Sequence, residues 1–406
     1  MATRVSRRRF TLIELLVMAA ILALSISLLV PFLRRANDET LRTDTQGRSR
    51  MKTQDTRAID AVLSPATAQH PRQTEASMLA FPDGRLLLAY SDFYDGPGRD
   101  EDPAQIAGRW SKDEGQTWSE PFVLQENIGK INCMSASLLQ LPSGRMLLAF
   151  GRKDAQPGLL HAMVKYSDDE GQTWSEPKDI TRGDNYWCIT NDRLVRLSNG
   201  RILYPIEARS VGCHVWYSDD DGATWQMSRE NIARPPGISY AEPTVVELKD
   251  GRVAMYIRSE AGNLHIALSD DGGESWRTHK THAPDMAGHP DCGPNAAESP
   301  CMVKRVPGGD DLLLVWNNNR VRTPLTAAIS SDNGETWRHF RDIEAMDGWP
   351  PRLIHTYPSI TFLNGNAHLT YGHVHLAWRD EKPPKLDVTA SLKYRRLPLE
   401  WFYEKP

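Results

Sequence analysis

Apolar and polar positions alternate in a regular pattern from about residue 72 to the end of the chain. Six stretches share one form, in which an apolar run, a polar turn with glycine and a second apolar run follow one another. These stretches are FPDGRLLLAY, LPSGRMLLAF, LSNGRILYPI, LKDGRVAMYI, VPGGDDLLLVW and FLNGNAHLTY. Runs of this length bounded by Gly, Asn and Asp are typical of β-hairpins, and helical periods are scarce after residue 70. The pattern therefore predicts an all-β structure.

A second motif, an eight-residue box, interleaves with the hairpins. Its five copies are SKDEGQTW (111–118), SDDEGQTW (167–174), SDDDGATW (218–225), SDDGGESW (269–276) and SSDNGETW (330–337). Their first serines are 56, 51, 51 and 61 residues apart, which is the spacing of a repeat architecture. Six hairpins alternating with five boxes predict six units of about four short strands. Because radial repetition into blades protects sheet edges, we predict a six-bladed β-propeller.

The box has the composition of a structural turn. Asp219 and its equivalents are expected to fold a carboxylate back onto backbone N–H groups, the glycine supplies a positive φ, and the tryptophan buries a large ring. The boxes resemble the Asp-boxes of the sialidase superfamily, and the resemblance covers roughly residues 70–406. It implies a sialidase-like propeller but says little about activity, because Asp-box propellers also occur in non-enzymes.

The N-terminus has a different character. Phe10 to Phe32 are 23 mostly apolar residues after an arginine-rich start, which is long enough for a transmembrane helix. Arg7, Arg8 and Arg9 would hold that end in the cytoplasm and place the propeller outside it, in the periplasm or the extracellular space. The pattern thus predicts a membrane anchor or leader in residues 1–32, a polar linker in residues 33–71 and the propeller in residues 72–406.

The start of this apolar segment resembles a type IV prepilin leader. In "R-FTLIE", Phe10 matches the first mature residue of that family and Glu14 the acidic residue at its fifth position. Arg9 departs from the pattern, since the family has glycine before the cleavage site. An uncleaved signal anchor and a prepilin-like leader cleaved at Phe10 both stay open.

Composition narrows the range of partners. The formal net charge is −4 with 25% charged residues, and no basic stripe or RNA-binding motif is present, so nucleic acid is not expected as a partner. The five cysteines lack metal-ligand spacing. Cys292 and Cys301 are close enough in sequence to form a bridge, and free thiols are the alternative. No cofactor and no metal are predicted.

Counting from the hairpin turns brings single-copy polar residues together. Glu242 lies eight residues before the turn at Asp250 and Arg258 eight residues after it, so antiparallel pairing sets them side by side at the end away from the turn. In the sixth hairpin Tyr357 lies seven residues before its turn, and Arg322 follows the fifth hairpin at the same end. The boxes belong at the opposite end.

These residues resemble the active site of sialidases, which are retaining exo-glycosidases. Glu242 and Arg258 match the paired glutamate and second arginine of that family, Arg322 its third arginine, and Tyr357 in "TYPSI" its nucleophilic tyrosine. Converging guanidiniums suit an anionic sugar because they stay charged and can bind a carboxylate through two hydrogen bonds. A neutral tyrosine deprotonated by Glu242 would avoid the repulsion between that carboxylate and an anionic nucleophile.

The first unit matches less closely. Arg72 is the candidate for the first arginine, but the Ile-Pro that follows it in the family is missing, and counting from the turn places Glu75 at the active end instead. The loop before the first box offers Asp100 as acid/base residue, with Asp102 next in rank. In a closed, partly apolar loop such an aspartate would have a raised pKa and could donate a proton.

The sequence thus predicts a sialidase-like exo-glycoside hydrolase that acts on a glycan or glycoconjugate. Three alternatives stay open: an exo-glycosidase for another sugar on the same fold, a non-catalytic carbohydrate-binding propeller, and a component of a pilus or secretion system.

Overall fold

The computed structural model describes residues 58–155, 158–181, 183–209, 211–280, 294–379 and 385–404. These residues belong to one compact unit, Thr56–Pro406. They contain strands and one short 3-10 helix, Leu399–Phe402, so the predicted all-β fold is confirmed. No helix in this part of the chain is long and apolar enough to cross a membrane. The predicted membrane segment, the prepilin-like leader and most of the predicted linker lie outside the described residues.

The first strand, β1 (Ile59–Ser64), lies inside the segment predicted as a polar linker. Its residues pair antiparallel with a strand more than 300 residues later, with Ile59 opposite Arg396. The linker prediction is therefore wrong for these six residues. Only one of them is buried and two are exposed, so the stretch carries little apolar signal, and distant pairing supplies its backbone hydrogen bonds.

Two regular four-stranded meanders follow. The first contains β2 (Arg72–Ala80), β3 (Leu86–Phe93), β4 (Ala104–Ser111) and β5 (Phe122–Gln125). The second contains β6 (Asn132–Gln140), β7 (Met146–Ala155), β8 (Leu159–Ser167) and β9 (Lys178–Asp179). Each sequence hairpin forms the first two strands of its meander, and each box follows the third strand.

The third meander is the least regular. Its strands are β10 (Trp187–Cys188), β11 (Val195–Arg196), β12 (Ile202–Ala208), β13 (Gly212–Ser218), β14 (Gln226–Met227) and β15 (Ile232–Ala233). Both β10 and β11 pair with β12, and both β14 and β15 pair with β13. The first and the fourth strands of this meander are thus each split into two short pieces.

The last three meanders complete the chain. The fourth contains β16 (Tyr240–Glu247), β17 (Val253–Ser259), β18 (His265–Ser269) and β19 (Arg277–Lys280). The fifth contains β20 (Met302–Arg305), β21 (Leu312–Asn317), β22 (Leu325–Ser330) and β23 (Arg338–Glu344). The sixth contains β24 (Leu353–Leu363), β25 (Asn366–Arg379) and β26 (Lys385–Pro398), and β1 serves as its fourth strand.

The described strands form five hydrogen-bonded sheets. Meanders two to five are separate sheets, whereas the first and sixth share one eight-stranded sheet. The link between these two is a single parallel pairing of β2 with β26, Arg72 opposite Ala390. The sixth meander is therefore hydrogen-bonded to the first.

The hydrophobic core is distributed over the interfaces between neighbouring meanders. Leu147 of β7 packs in one cluster with Tyr204 of β12, and Leu313 of β21 in another with Leu369 of β25. A further cluster joins β3 of the first meander to Tyr394 of β26 in the sixth. Burial of these apolar faces, worth about 25 cal/mol per Å², holds each sheet against the next.

The box turn is built by its third residue, not by its second. Asp220 accepts hydrogen bonds from the Thr224 N–H at 2.8 Å and the Thr224 hydroxyl at 2.6 Å. Asp219, the residue expected in this role, instead pairs with the Arg201 side chain on the surface. The third position is Asp in all five copies, whereas the second is Lys112 in the first copy, so the repeat itself contained the correct assignment.

Glycine is required at the fifth box position. Gly115 has φ +84°, and a Cβ there would clash with the Tyr394 hydroxyl of the neighbouring meander. The turn is therefore local in its hydrogen bonds but is packed against the adjacent sheet.

Candidate active site

A cavity of about 690 Å³ opens at the end of the sheets where the first strands of the meanders begin. This volume suits a small ligand such as one or two sugar rings. All six residues that the sequence predicted for the site line it. They are Arg72, Asp100, Glu242, Arg258, Arg322 and Tyr357.

One backbone device recurs on the first strands and directs side chains into the cavity. Glu75, Ser135, Glu242 and Tyr357 have φ values of 55°, 63°, 48° and 56°, and each lies at a break in the register of its strand pair. A β-bulge adds one residue to a strand and redirects its side chain. A positive φ is unfavourable for these residue types, so the surrounding sheets must hold the bulges in place.

Tyr357, Glu242 and Arg258 form the centre of the site. The Tyr357 hydroxyl donates to Glu242 Oε1 at 3.0 Å, and Arg258 Nη1 donates to Glu242 Oε2 at 2.5 Å. The counted register was off by one position, because Ala241 pairs with Arg258 and Glu242 occupies the bulge. The side chains nevertheless meet as expected.

The electrostatic environment keeps the Tyr357 hydroxyl protonated in the free protein. Burial, and then the negative charge of Glu242, raise the pKa of Tyr357 above its ordinary value. Glu242 is 7% exposed and accepts both hydrogen bonds. A carboxylate placed in this way can take the tyrosine proton when the oxygen attacks an electrophile.

Arg72 reaches the cavity although the turn count placed Glu75 there instead. Its Nη2 donates to Glu75 Oε1 at 2.5 Å and its Nη1 to Asp100 Oδ1 at 2.6 Å. Arg72 begins β2, and its side chain runs back over the Phe93 ring, 4.4 Å from the ring centre. Glu75 is buried, accepts from the Ser135 hydroxyl at 2.7 Å, and has a pKa raised by burial.

Tertiary contacts distinguish Asp100 from Asp102. The Asn132 side-chain amide donates to the main-chain oxygens of both residues at 2.9 Å, whereas the buried Lys153 ammonium donates to that of Asp100 at 2.9 Å and Arg72 bonds to the Asp100 carboxylate. Asp102 turns away and accepts from the Arg99 N–H at 2.6 Å. The expected rise of the Asp100 pKa is wrong. Burial favours a rise, but the charge and hydrogen bond of Arg72 together with the charges of Lys153 and Arg322 outweigh it, so the pKa is lowered.

Glu298 connects the two remaining arginines and was missed by the sequence analysis. Its Oε1 accepts from Arg258 Nη2 at 2.7 Å, while its main-chain oxygen accepts from Arg322 Nε at 3.2 Å and Nη2 at 2.9 Å. A signal was present: Ser299-Pro300, just before β20, repeats the residue-proline pairs that Glu242 forms in β16 and Tyr357 forms in β24. Glu298 is the residue before that pair.

The third meander supplies the other side of the cavity. Glu207 is buried and pairs with Arg234, while Arg209 lies over the Tyr186 ring at 4.0 Å. Burial raises the pKa of Glu207 to about 7, although Arg234 acts in the opposite direction. Among the described lining residues, five arginines face five carboxylates, so the formal charges balance.

Other polar residues near this end hold the fold together. Asp192 accepts hydrogen bonds from the Ser77 hydroxyl, the Lys304 ammonium and the Ile360 N–H, and so ties together strands of the first, fifth and sixth meanders.

His355 Nε2 and His373 Nδ1 lie 3.1 Å apart outside the cavity lining. In the described ranges, no group of three or more His, Cys, Asp or Glu side chains is arranged to hold a metal ion. Cys301 is a buried thiol that is free among the described residues, and Cys292, its partner in the possible bridge, lies outside them.

Residues 84–376 match the family model described as BNR repeat-like domain. The chain is also similar to curated proteins named sialidase. It is 27% identical over 236 residues to that of Paraclostridium sordellii, covering 50% of this chain and 56% of that protein. It is 29% identical over 307 residues to that of Micromonospora viridifaciens, covering 66% of this chain and 45% of that protein. The chain spans about half the length of the curated relatives it matches.

Solved structures resemble the fold at low sequence identity. The intramolecular trans-sialidase of Ruminococcus gnavus, in complex with oseltamivir carboxylate, matches with a TM-score of 0.67 and 16% identity. The match covers 86% of this chain and 99% of that one. A protein of unknown function from Dyadobacter fermentans gives a TM-score of 0.64 at 20% identity, with 84% and 99% covered. At these identities the likeness shows a shared fold.

Proposed function

This chain belongs to the BNR repeat-like domain family, and from that premise we propose that it is a sialidase-like exo-glycoside hydrolase with a retaining mechanism. The curated relatives named sialidase support the class of reaction. The observation that carries the proposal is the Tyr357 hydroxyl 3.0 Å from Glu242 Oε1, beside Arg258. A nucleophile next to its base in a sugar-sized cavity is the arrangement that this chemistry requires.

In the first step Tyr357 attacks the anomeric carbon. The bond from the tyrosine oxygen to that carbon forms, the glycosidic C–O bond breaks, and the tyrosine proton passes to Glu242. Asp100 donates its proton to the departing oxygen. In the second step Asp100 takes a proton from water and the water oxygen bonds to the anomeric carbon. The bond between that carbon and the tyrosine oxygen breaks, and Glu242 returns its proton to the tyrosine oxygen.

The arginines have a binding role in this proposal. Arg72, Arg258 and Arg322 line the cavity, and in this proposal they bind a carboxylate on the sugar, because guanidinium groups bind carboxylates through paired, charge-assisted hydrogen bonds. Arg72 is paired with Asp100. A ligand carboxylate that binds Arg72 would weaken this pairing, and Asp100 would then be easier to protonate.

The finer architecture and the location belong to the same proposal. We propose that the six meanders are six blades, with the eight-stranded sheet holding the first and the sixth. This reading is supported by the core clusters that join each meander to the next. We also propose that the N-terminal segment, outside the described residues, anchors the propeller at a membrane with the cavity outside the cytoplasm.

A second candidate is an exo-glycosidase of the same mechanism for a less acidic or neutral sugar. The pairing of Arg72 with Asp100 and of Arg258 with Glu242 favours it, because an arginine already paired with a carboxylate of the protein attracts an anionic sugar less strongly.

The test is hydrolysis of a fluorogenic sialoside by the full-length protein in mild detergent. Tyr357→Phe and Arg322→Ala should each lose activity, the first by about 10³-fold or more because the nucleophile is gone. Tyr256→Phe is the matched control: Tyr256 is also a buried tyrosine but lies in the core between the fourth and fifth meanders. Turnover by Tyr357→Phe at the wild-type rate would refute the proposed nucleophile. Absence of turnover by the folded wild type on sialosides, with turnover on neutral glycosides, would favour the second candidate.

A further inference from the structure

Glu298 occupies hydrogen-bond donors on two arginines at once. Its carboxylate accepts from Arg258 Nη2, and its main-chain oxygen accepts from Nε and Nη2 of Arg322. The Nε and Nη2 edge is one of those with which an arginine can bind a carboxylate through two parallel bonds. On Arg322, that edge is used by a neutral carbonyl of the protein itself.

Both terminal nitrogens of the other arginine are bonded to carboxylates. Arg258 Nη1 is bonded to Glu242 and Nη2 to Glu298, and its buried Nε has no hydrogen-bond acceptor among the described residues. Three of the five N–H donors are unused, but a ligand carboxylate that approaches Nη2 from the cavity meets the negative charge of Glu298 beside it.

The two carboxylates on Arg258 differ in how firmly they are held. The Glu242 side chain is 8% exposed, whereas that of Glu298 is 50% exposed. A half-exposed ion pair contributes little because water competes for both charges. Glu298 is therefore displaced from Arg258 more easily than Glu242 is.

We propose that Glu298 is a specificity-determining residue that competes with the carboxylate of an acidic sugar for Arg258. The inference rests on the proposed function, since it takes the ligand carboxylate to bind at Arg258 and Arg322. Displacement of Glu298, or repulsion where it stays, lowers the affinity for acidic sugars relative to neutral ones. The site thus has a built-in restraint on anion binding, although it is lined with arginines.

The experiment measures binding by calorimetry, with N-acetylneuraminic acid and its methyl ester as probes and the full-length protein in detergent. Glu298→Gln should bind the acid about tenfold more tightly and leave binding of the ester unchanged, because only the acid carries the competing charge. Glu170→Gln is the matched control: Glu170 is 53% exposed and pairs with Arg85 at the box end. Equal or weaker binding of the acid by Glu298→Gln overturns the inference, and so does failure of the acid to bind either protein.

Sialoside hydrolysis by the same wild-type preparation separates this inference from the proposed function. Turnover with no gain in acid affinity for Glu298→Gln retains the function and rejects the competition. A gain in acid affinity without turnover retains the competition and rejects the reaction.

Discussion

The two ends of the sheets hold their carboxylates in different ways. At the box end, Asp271 bonds to Ser275, four residues along the chain, and the same contact recurs in all five copies. At the cavity end, Glu242 meets Arg258 across 16 residues and Tyr357 across 115. A local turn can be copied with each repeat because it needs only its own residues. A site made from distant segments occurs once, because each segment supplies a different side chain.

The two ends also differ in what their unusual backbone conformations do. At the box end positive φ values occur at glycines and at the fourth box residues Glu114, Glu170, Asp221 and Asn333, where they close a turn of fixed form. At the cavity end positive φ values occur at Glu75, Ser135, Glu242 and Tyr357, which line the cavity. Unfavourable conformations that direct side chains into a site are a common property of functional sites.

The largest expected effect is a loss of activity at one end of strand β16 but not at the other. Glu242→Gln should lower kcat for sialoside hydrolysis by about 10³-fold, because glutamine can accept the Tyr357 hydrogen bond but cannot take its proton. Glu247→Gln, on the same β16 strand but bonded to Ser198 near the turn, should keep the wild-type rate. Steady-state kinetics on both variants provide the test. Equal losses in both variants would contradict the assignment of chemistry to one end.

The next effect concerns proton donation and pH. Asp100→Asn should slow the hydrolysis of an unactivated alkyl sialoside by about 10²-fold. It should slow the hydrolysis of an activated aryl sialoside much less, since only the poor leaving group needs a proton. Arg72 holds the pKa of Asp100 below its ordinary value. The protonated fraction therefore rises as the pH falls, and kcat/KM for the alkyl substrate should increase on acidification from pH 7 towards 4.

Paired pH profiles of wild type and Asp100→Asn measure this dependence. The increase should be absent from the variant. An identical slope in both proteins would transfer the acid role to another residue.

The smallest effect belongs to the box end. Asp271→Ala removes hydrogen bonds from the backbone and hydroxyl of Ser275 and should lower the free energy of unfolding by about 1–2 kcal/mol. Asp270→Ala, which loses one exposed pair with Arg277, should change it by less than about 0.5 kcal/mol. Urea unfolding of both variants gives the comparison, and kcat/KM should be unchanged in both.

The same box predicts an acid limit to stability. Burial favours a higher pKa for Asp271, but the hydrogen bonds from Ser275 and Ser269 outweigh it and lower the pKa to about 2. A carboxyl group whose pKa is lowered by folding stabilises the fold fully at pH values above its pKa in the unfolded chain, which is near 3.8. This contribution is lost as the pH falls towards 2. The stability difference between wild type and Asp271→Ala should therefore shrink over that range.

Local sequence was sufficient for the hairpins and the box turns. Their partners lie a few residues away, and the repeat shows the pattern several times. The misassignment of Asp219 for Asp220 arose from treating one copy as typical, since Lys112 in the first copy already excludes the second position. The strand β1 was missed because its partner, β26, lies at the other end of the chain.

The site was predictable as a set of residues but not as a geometry. Counting from turns brought Tyr357 and Glu242 to the same end, because strand length fixes distance along a sheet. It could not find the bulge that shifts Glu242 out of register, nor Glu298, whose contacts with Arg258 and Arg322 depend on three separate loops and strands. It ranked Asp100 above Asp102 by distance to the box, but it could not show that the Asp100 side chain bonds to Arg72 while the Asp102 side chain bonds to the Arg99 N–H.

The sequence by itself determined the all-β class, the repeat, the box turns and the residue types available for chemistry. Each of these depends on interactions between residues a few positions apart, so the local sequence contains all the interacting groups. Only the tertiary structure decided which arginine pairs with which carboxylate, and in which direction the pKa of Asp100 moves. Charges interact through space according to distance and burial, and in this protein both are set by strands that lie far apart in the chain.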